Sequence, residues 1–214
     1  DHNAFTLDQL QYLVIDEADK MFQMGFGEEM DRILKAIPKK KQTILFSATL
    51  NEKVDEIKAT LKINPIVVEV KQQDVDLDAI EQIAYKVDDE TKGPFLRYLI
   101  KSNQVTQALV FVSSTRTADN LVEKLKKNKI HALAIHSKKS QGARMDNLED
   151  FKLGDVQILV ATDLIGRGIH IEGLPTVINY ELPRSPLDYV HRIGRTGRAN
   201  SSGKAISLIT EEDL

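Results

Sequence analysis

The chain has 214 residues, 42% of them hydrophobic, a net charge of −3 and no cysteine; it can bury one large core or two of about 100 residues each, and it excludes disulfides, thiolate metal sites and cysteine nucleophiles. Without net positive charge there is no global field for a polyanion, so nucleic-acid binding must come from local groups. No run of about 18 apolar residues and no signal-peptide pattern occurs, which excludes a helical membrane span on this reading and sets the expectation of a cytoplasmic, non-membrane protein.

In chain order, short β-branched runs alternate with amphipathic ones. "YLVID" (12–16) predicts a strand, "GEEMDRILKAI" (27–37) a helix, "TILFSA" (43–48) a strand, "NEKVDEIKATL" (51–61) a helix and "IVVEV" (66–70) a strand. The polar, acidic "KQQDVDLD" that follows is read as a linker over residues 71–78. Beyond it "IEQIAYKV" (80–87), "ALVFV" (108–112), "ILVAT" (158–162) and "TVINY" (176–180) predict strands, with helices in "TADNLVEKLKKN" (117–128) and "QGARMDNLEDFKLG" (141–154). Strands that are apolar throughout are those of a parallel sheet covered on both faces. The alternation is therefore α/β, with domains expected over 1–70 and 79–214.

In open parallel sheets ligands sit beyond the carboxyl ends of the strands. Asp16, Glu17 and Asp19 follow directly on the first strand; a strand-end Asp can hold Mg²⁺ together with phosphate oxygens, and a neighbouring Glu can orient and deprotonate a water. The same acids also suit the first turn of a helix. Ser47 and Thr49 end the next strand, Ser113, Ser114 and Thr115 end "ALVFV", and Ser140, Gln141 and Arg144 open a helix. Each set can cap a helix or seat a phosphate. Thr162 and Asp163, followed by Gly166, Arg167 and Gly168, present the same two readings.

"HRIGRTGR" (191–198) sets His191, Arg192, Arg195 and Arg198 among two glycines. Arginines at a spacing of three need counter-charges. Carboxylates of the chain could supply them, and so could a phosphoryl group, which guanidinium binds bidentately.

Taken in order, "DEAD" (16–19), "SAT" (47–49), "VFVSST" (110–115), "QGAR" (141–144), "ATDLIGRGI" (161–169) and "HRIGRTGR" resemble the DEAD-box RNA helicases, closest to the bacterial members, over essentially the whole chain. The resemblance implies RecA-like parallel sheets with flanking helices, a partial first domain and a nearly complete second one, with ATP and RNA bound across the cleft between them. It implies an ATP-dependent RNA helicase that unwinds short duplexes by domain closure, with ATP and Mg²⁺ as cofactors and RNA held mainly by its sugar-phosphate backbone. Asp16 then resembles the Mg²⁺ carboxylate, acting through water, Glu17 the water-activating carboxylate, and Arg195 and Arg198 the arginine fingers. Asp19, Ser47, Thr49, His191 and Arg192 resemble the relay that couples nucleotide to RNA. Ser114, Arg144, Thr162, Arg167 and Gly168 resemble the RNA contacts, and the scarcity of exposed stacking aromatics suits backbone recognition.

Three departures stand out. His170 occupies the place of an aspartate that reaches the ATP ribose, and Ser137, Lys138 and Lys139 replace the usual start of the "QGAR" turn; the lysines either add grip on RNA or line a solvated turn. No G-x-x-x-x-G-K-S/T loop is present, so the α- and β-phosphates lack their usual cradle. The chain is accordingly expected to be a piece of a longer protein, inactive by itself as an ATPase. A non-catalytic RNA-binding or partner-docking module is the alternative.

Overall fold

The computed structural model describes residues 6–23, 25–47, 65–69, 77–102, 105–163, 173–197 and 203–213. The chain divides into two compact units, Asp1–Lys71 and Gln72–Leu214. The expected helix over 51–61 lies outside the described residues.

In the first unit, β1 (Tyr12–Ile15) and β2 (Gln42–Leu45) pair in parallel with Tyr12 opposite Gln42 and Ile15 opposite Leu45. Between them run α1 (Ala18–Gln23) and α2 (Gly27–Ala36). Successive side chains of a strand face opposite sides. Leu13, Ile15 and Leu45 accordingly meet Ala18, Met21, Met30 and Leu34. On the other face Tyr12, Val14 and Ile44 stand open to solvent, joined by Phe46 beyond the strand end. The strand expected over "IVVEV" is corrected. Residues 65–69 belong to no strand among the described residues, and Ile66 and Val68 are 93% and 80% exposed. An apolar run becomes a strand only where a neighbouring edge accepts its backbone hydrogen bonds.

The second unit is built on six parallel strands: β3 (Ile80–Lys86), β4 (Ala108–Val112), β5 (Ala132–Ile135), β6 (Ile158–Thr162), β7 (Thr176–Asn179) and β8 (Gly203–Ile209). Their order across the sheet is β3-β8-β7-β4-β6-β5. Its helices are α3 (Asp89–Lys101), α4 (Thr115–Lys127), α5 (Gln141–Leu153) and α6 (Pro186–Ile193). Ala108, Val110 and Val112 face one core with α3 and α4, through Leu96, Leu99, Leu121 and Leu125. Leu109 and Phe111 face the other, with Phe151 of α5. Both faces being covered, the whole of β4 is buried, and each large side chain sequestered there contributes about 1.5–3 kcal/mol.

The sequence patterns named neither β5 nor β8, and neither α3 nor α6. β5 is only four residues, two of them alanine. β8 interrupts its apolar run with Lys204 and Ser207, and the buried Ser207 hydroxyl accepts from Asn179 Nδ2 at 3.2 Å. Polar residues that satisfy one another inside a core break the pattern that announces a buried strand. α3 carries Pro94 in its interior, which reads as a breaker.

Candidate functional site

In the first unit the chain leaves β1 at Asp16. The Glu17 N–H donates to Asp16 Oδ1 at 2.8 Å, and Glu17 has φ +49°, a left-handed conformation that a non-glycine residue rarely adopts. The turn is closed by the Ala18 N–H donating to the Phe46 carbonyl at 3.1 Å. Asp16 and Glu17 are thereby exposed at the carboxyl end of β1, while Ala18 and Asp19 are buried at the start of α1. An exposed strand-end carboxylate suits Mg²⁺, which takes one or two carboxylates and shares phosphate oxygens and water. Among the described residues no three acidic or histidine side chains gather to ligate a metal. Ser47 lies just beyond β2, half-buried; Thr49 falls outside the described residues.

In the second unit Ser114, Arg144 and Thr162 lie at or beyond the carboxyl ends of β4, β5 and β6. Ser114, after β4, is the N-cap of α4: its Oγ accepts from the Thr117 N–H at 3.0 Å. Ser140 caps α5 in the same way, accepting from Ala143 N–H at 3.2 Å. Both hydroxyls therefore cap, and Ser114 remains exposed. Arg144, one turn into α5, donates through Nη2 to Gln141 Oε1 at 2.5 Å, while its buried Nε finds no partner among the described residues. Thr162 closes β6 and is 8% exposed.

The turn before α5 is tied to α4. His136 is 1% exposed, and its Nε2 lies 3.0 Å from Asp119 Oδ1. Lys139 Nζ reaches the same oxygen at 2.9 Å. Burial works to raise the pKa of Asp119, but hydrogen bonds and charge from His136 and Lys139 outweigh it and hold the carboxyl below its ordinary range. Lys139 is thus engaged with a carboxylate of its own chain.

Arg192 is set apart from the other arginines of "HRIGRTGR" by its surroundings. It is 3% exposed, in the last turn of α6. Its Nε and Nη2 donate to the two oxygens of Asp163 at 2.6 and 2.7 Å. Nη1 donates to Asn179 Oδ1 at 2.9 Å and to the Glu181 carbonyl at 2.7 Å. The guanidinium lies 5.0 Å from the centre of the Phe111 ring. Four of its five donor positions are thereby matched inside the unit. The carboxylate reading holds for Arg192, and a direct contact with an external phosphate is excluded in this arrangement. Nothing in the sequence spacing ties Asp163, Asn179 and Arg192 together.

Arg195 takes its position from the residues on either side of it. α6 stops at Gly194, and Thr196 is fully buried, its hydroxyl donating to the Leu174 carbonyl. Leu174 N–H in turn donates to the Arg195 carbonyl at 3.1 Å. Gly197 takes φ +69°, and a Cβ there would lie 2.6 Å from Ile80 Cγ1. The glycine and threonine of this motif thus fasten the turn that carries Arg195, which is half-buried, as is His191. Arg198, Arg167, Gly168 and His170 lie outside the described residues. The expected scarcity of exposed aromatics is corrected: Tyr12, Phe46 and Tyr98 are 64%, 56% and 60% exposed.

Comparison with known proteins agrees in both units. Residues 1–57 match the DEAD/DEAH box helicase family, and residues 91–200 match the helicase conserved C-terminal domain. The ATP-dependent RNA helicase RhlB of Pseudomonas syringae pv. tomato is 39% identical over 97% of this chain and 53% of its own length. The ATP-dependent RNA helicase DbpA of Bacillus subtilis is 39% identical over 95% of this chain and 43% of its own. The chain spans about half the length of the curated relatives it matches. Among solved structures, Saccharomyces cerevisiae Dbp5 bound to RNA and ADP BeF3 covers 98% of the chain at 31% identity with a TM-score of 0.79, the chain covering 56% of it.

Proposed function

The chain belongs to the DEAD-box helicases, and from that membership we propose that the whole protein is an ATP-dependent RNA helicase that separates short duplexes as its domains close on ATP and RNA. The observation that carries the reading is the gathering of Ser114, Arg144 and Thr162 at or beyond the carboxyl ends of the adjacent strands β4, β5 and β6.

In the proposed cycle Glu17 orients the attacking water and takes its proton as that oxygen bonds to the γ-phosphorus and the bond to the β,γ-bridging oxygen breaks, releasing ADP and phosphate. Asp16 is the residue that would hold Mg²⁺, which when bound would neutralise charge on the phosphate oxygens. Arg195 and Arg198 meet the charge that develops on the transferred group, a contribution of about 10³ to 10⁵ in rate for an arginine finger. Asp19, Ser47, Thr49 and His191 couple this chemistry to RNA. Arg192 joins them indirectly, by fixing α6 against β6 and β7. Ser114, Arg144, Thr162, Arg167 and Gly168 hold the RNA backbone, and His170 donates to the ribose. Cytoplasmic location and the lack of membrane attachment remain part of this proposal; among the described residues no helix is long and apolar enough to cross a membrane.

The test is the steady-state ATPase of the whole protein with and without single-stranded RNA, in wild type and Glu17→Gln. RNA should stimulate the wild type. The variant should keep binding ATP and RNA while turnover is lost, because only the water-activating carboxylate is removed. Turnover indifferent to RNA would favour a non-catalytic RNA-binding module. The 214-residue chain, which lacks a phosphate loop, is expected to bind RNA weakly and to hydrolyse no ATP.

A further inference from the structure

β4 ends at Val112, and the next residue, Ser113, is not the one that caps α4; that is Ser114. Both donors of Ser113 converge on a single atom. Its backbone N–H and its hydroxyl donate to Glu181 Oε2 at 2.5 and 2.6 Å. Two donors aimed at one point beyond a strand end form a small anion seat, of the kind that takes a phosphate oxygen. Here the anion is supplied by the chain. The Glu181 backbone is pinned on both sides: its N–H donates to the Phe111 carbonyl at 3.3 Å, and its carbonyl accepts from buried Arg192 at 2.7 Å. Only the side chain can leave. Ser113 is exposed and Glu181 half-exposed, so departure uncovers the seat directly to solvent.

We propose that the Glu181 carboxylate is a built-in competitor for an RNA phosphate, occupying the two donors of Ser113 until the strand displaces it. The proposal rests on the RNA-binding reading above. A carboxylate in the seat keeps the two donors aligned in the free protein. It also sets a negative charge where the phosphate must arrive, so it weakens the grip on RNA and favours release. Glutamine separates these effects, because its carbonyl oxygen can still accept from Ser113 but carries no charge.

Binding of a fluorescent single-stranded oligoribonucleotide to the 214-residue chain tests this, measured by anisotropy across a salt series for wild type, Glu181→Gln, Glu181→Ala, Ser113→Ala and the double variant Ser113→Ala/Glu181→Gln. Circular dichroism checks that each variant is folded. Glu181→Gln and Glu181→Ala should each tighten binding by about 3- to 10-fold at low salt, the gain shrinking as salt screens the lost repulsion. In the Ser113→Ala background the gain should largely vanish, since the two residues act on one seat. Unchanged or weaker binding by folded Glu181→Gln would overturn the proposal, and loss of binding in Glu181→Ala with rescue by Glu181→Gln would show a scaffolding role instead. Tightening toward ATP but not toward RNA would overturn the assignment to RNA. Absence of RNA binding by the wild type would instead remove the RNA-binding reading on which it rests.

Discussion

Arg192 and Arg195 stand three positions apart in one motif, yet their surroundings give them different physical tasks. Arg192 is buried among Asp163, Asn179 and Phe111, and removing it leaves a carboxylate and an amide that have lost their partner. Arg192→Ala should therefore cost about 3–5 kcal/mol, the usual penalty for breaking a buried pair from one side. Urea denaturation of the 214-residue chain measures it, and a loss below about 1 kcal/mol would mean that the network does not hold α6 in place. Arg195 lies on the turn beyond the helix, and its proposed task is met only in the transition state. In the whole protein Arg195→Ala should lower kcat by at least about 10²-fold with little change in ATP affinity. Equal losses in binding and turnover would count against the finger.

At the level of elements, the start of β8 packs closely on the turn that follows α6. A Cβ on Gly203 would overlap Thr196 Oγ1 and the Gly197 nitrogen and lie 2.8 Å from Gly197 Cα, so backbone as well as side chain would have to move. Gly203→Ala should destabilise the chain by about 3 kcal/mol or more, at or beyond the upper range for overpacking a rigid site. Gly142 offers the contrast. It lies in the first turn of α5 with nothing within 4 Å of an added Cβ. Gly142→Ala should stabilise by about 0.4–1 kcal/mol, because the unfolded chain loses freedom that the helix does not need. Thermal melts of the two variants should shift in opposite directions, and a destabilised Gly142→Ala would show that α5 begins under a constraint not visible in its contacts.

Across the molecule, the two units differ in how completely their sheets are covered. The six-stranded sheet of residues 72–214 has helices on both faces, with large side chains such as Phe111, Phe151 and Leu125 sequestered between. The β1–β2 pair is packed on one face, and its other face presents Tyr12, Val14 and Ile44 to solvent. Two strands with an open apolar face are marginal in water. Native-state hydrogen exchange should show the slowest amides in β4, β6 and β7 and much faster exchange in β1 and β2. Residues 72–214 expressed alone should unfold in one cooperative transition. Equal protection in the two sheets would contradict this account.

Local periodicity made part of the fold legible along the chain. "ALVFV", "ILVAT" and "TVINY" announced β4, β6 and β7 because a strand buried on both faces needs an apolar residue at nearly every position. The order of "DEAD", "SAT" and "HRIGRTGR" disclosed the family, and the helix starts at Ser114 and Ser140 were legible as hydroxyls preceding amphipathic runs. Tertiary structure decided the rest. "IVVEV" has the composition of a strand and is not one among the described residues, since strand formation depends on a partner edge and not on composition. β8 was hidden because Ser207 is satisfied by Asn179, 28 positions earlier. Arg192 and Arg195 look alike in sequence, and the one that is buried was chosen by Asp163, 29 residues away along the chain and hydrogen-bonded in the fold. Periodicity reports which side of an element faces a core; only packing brings distant charges together, and that made Arg192 an arginine that holds the protein.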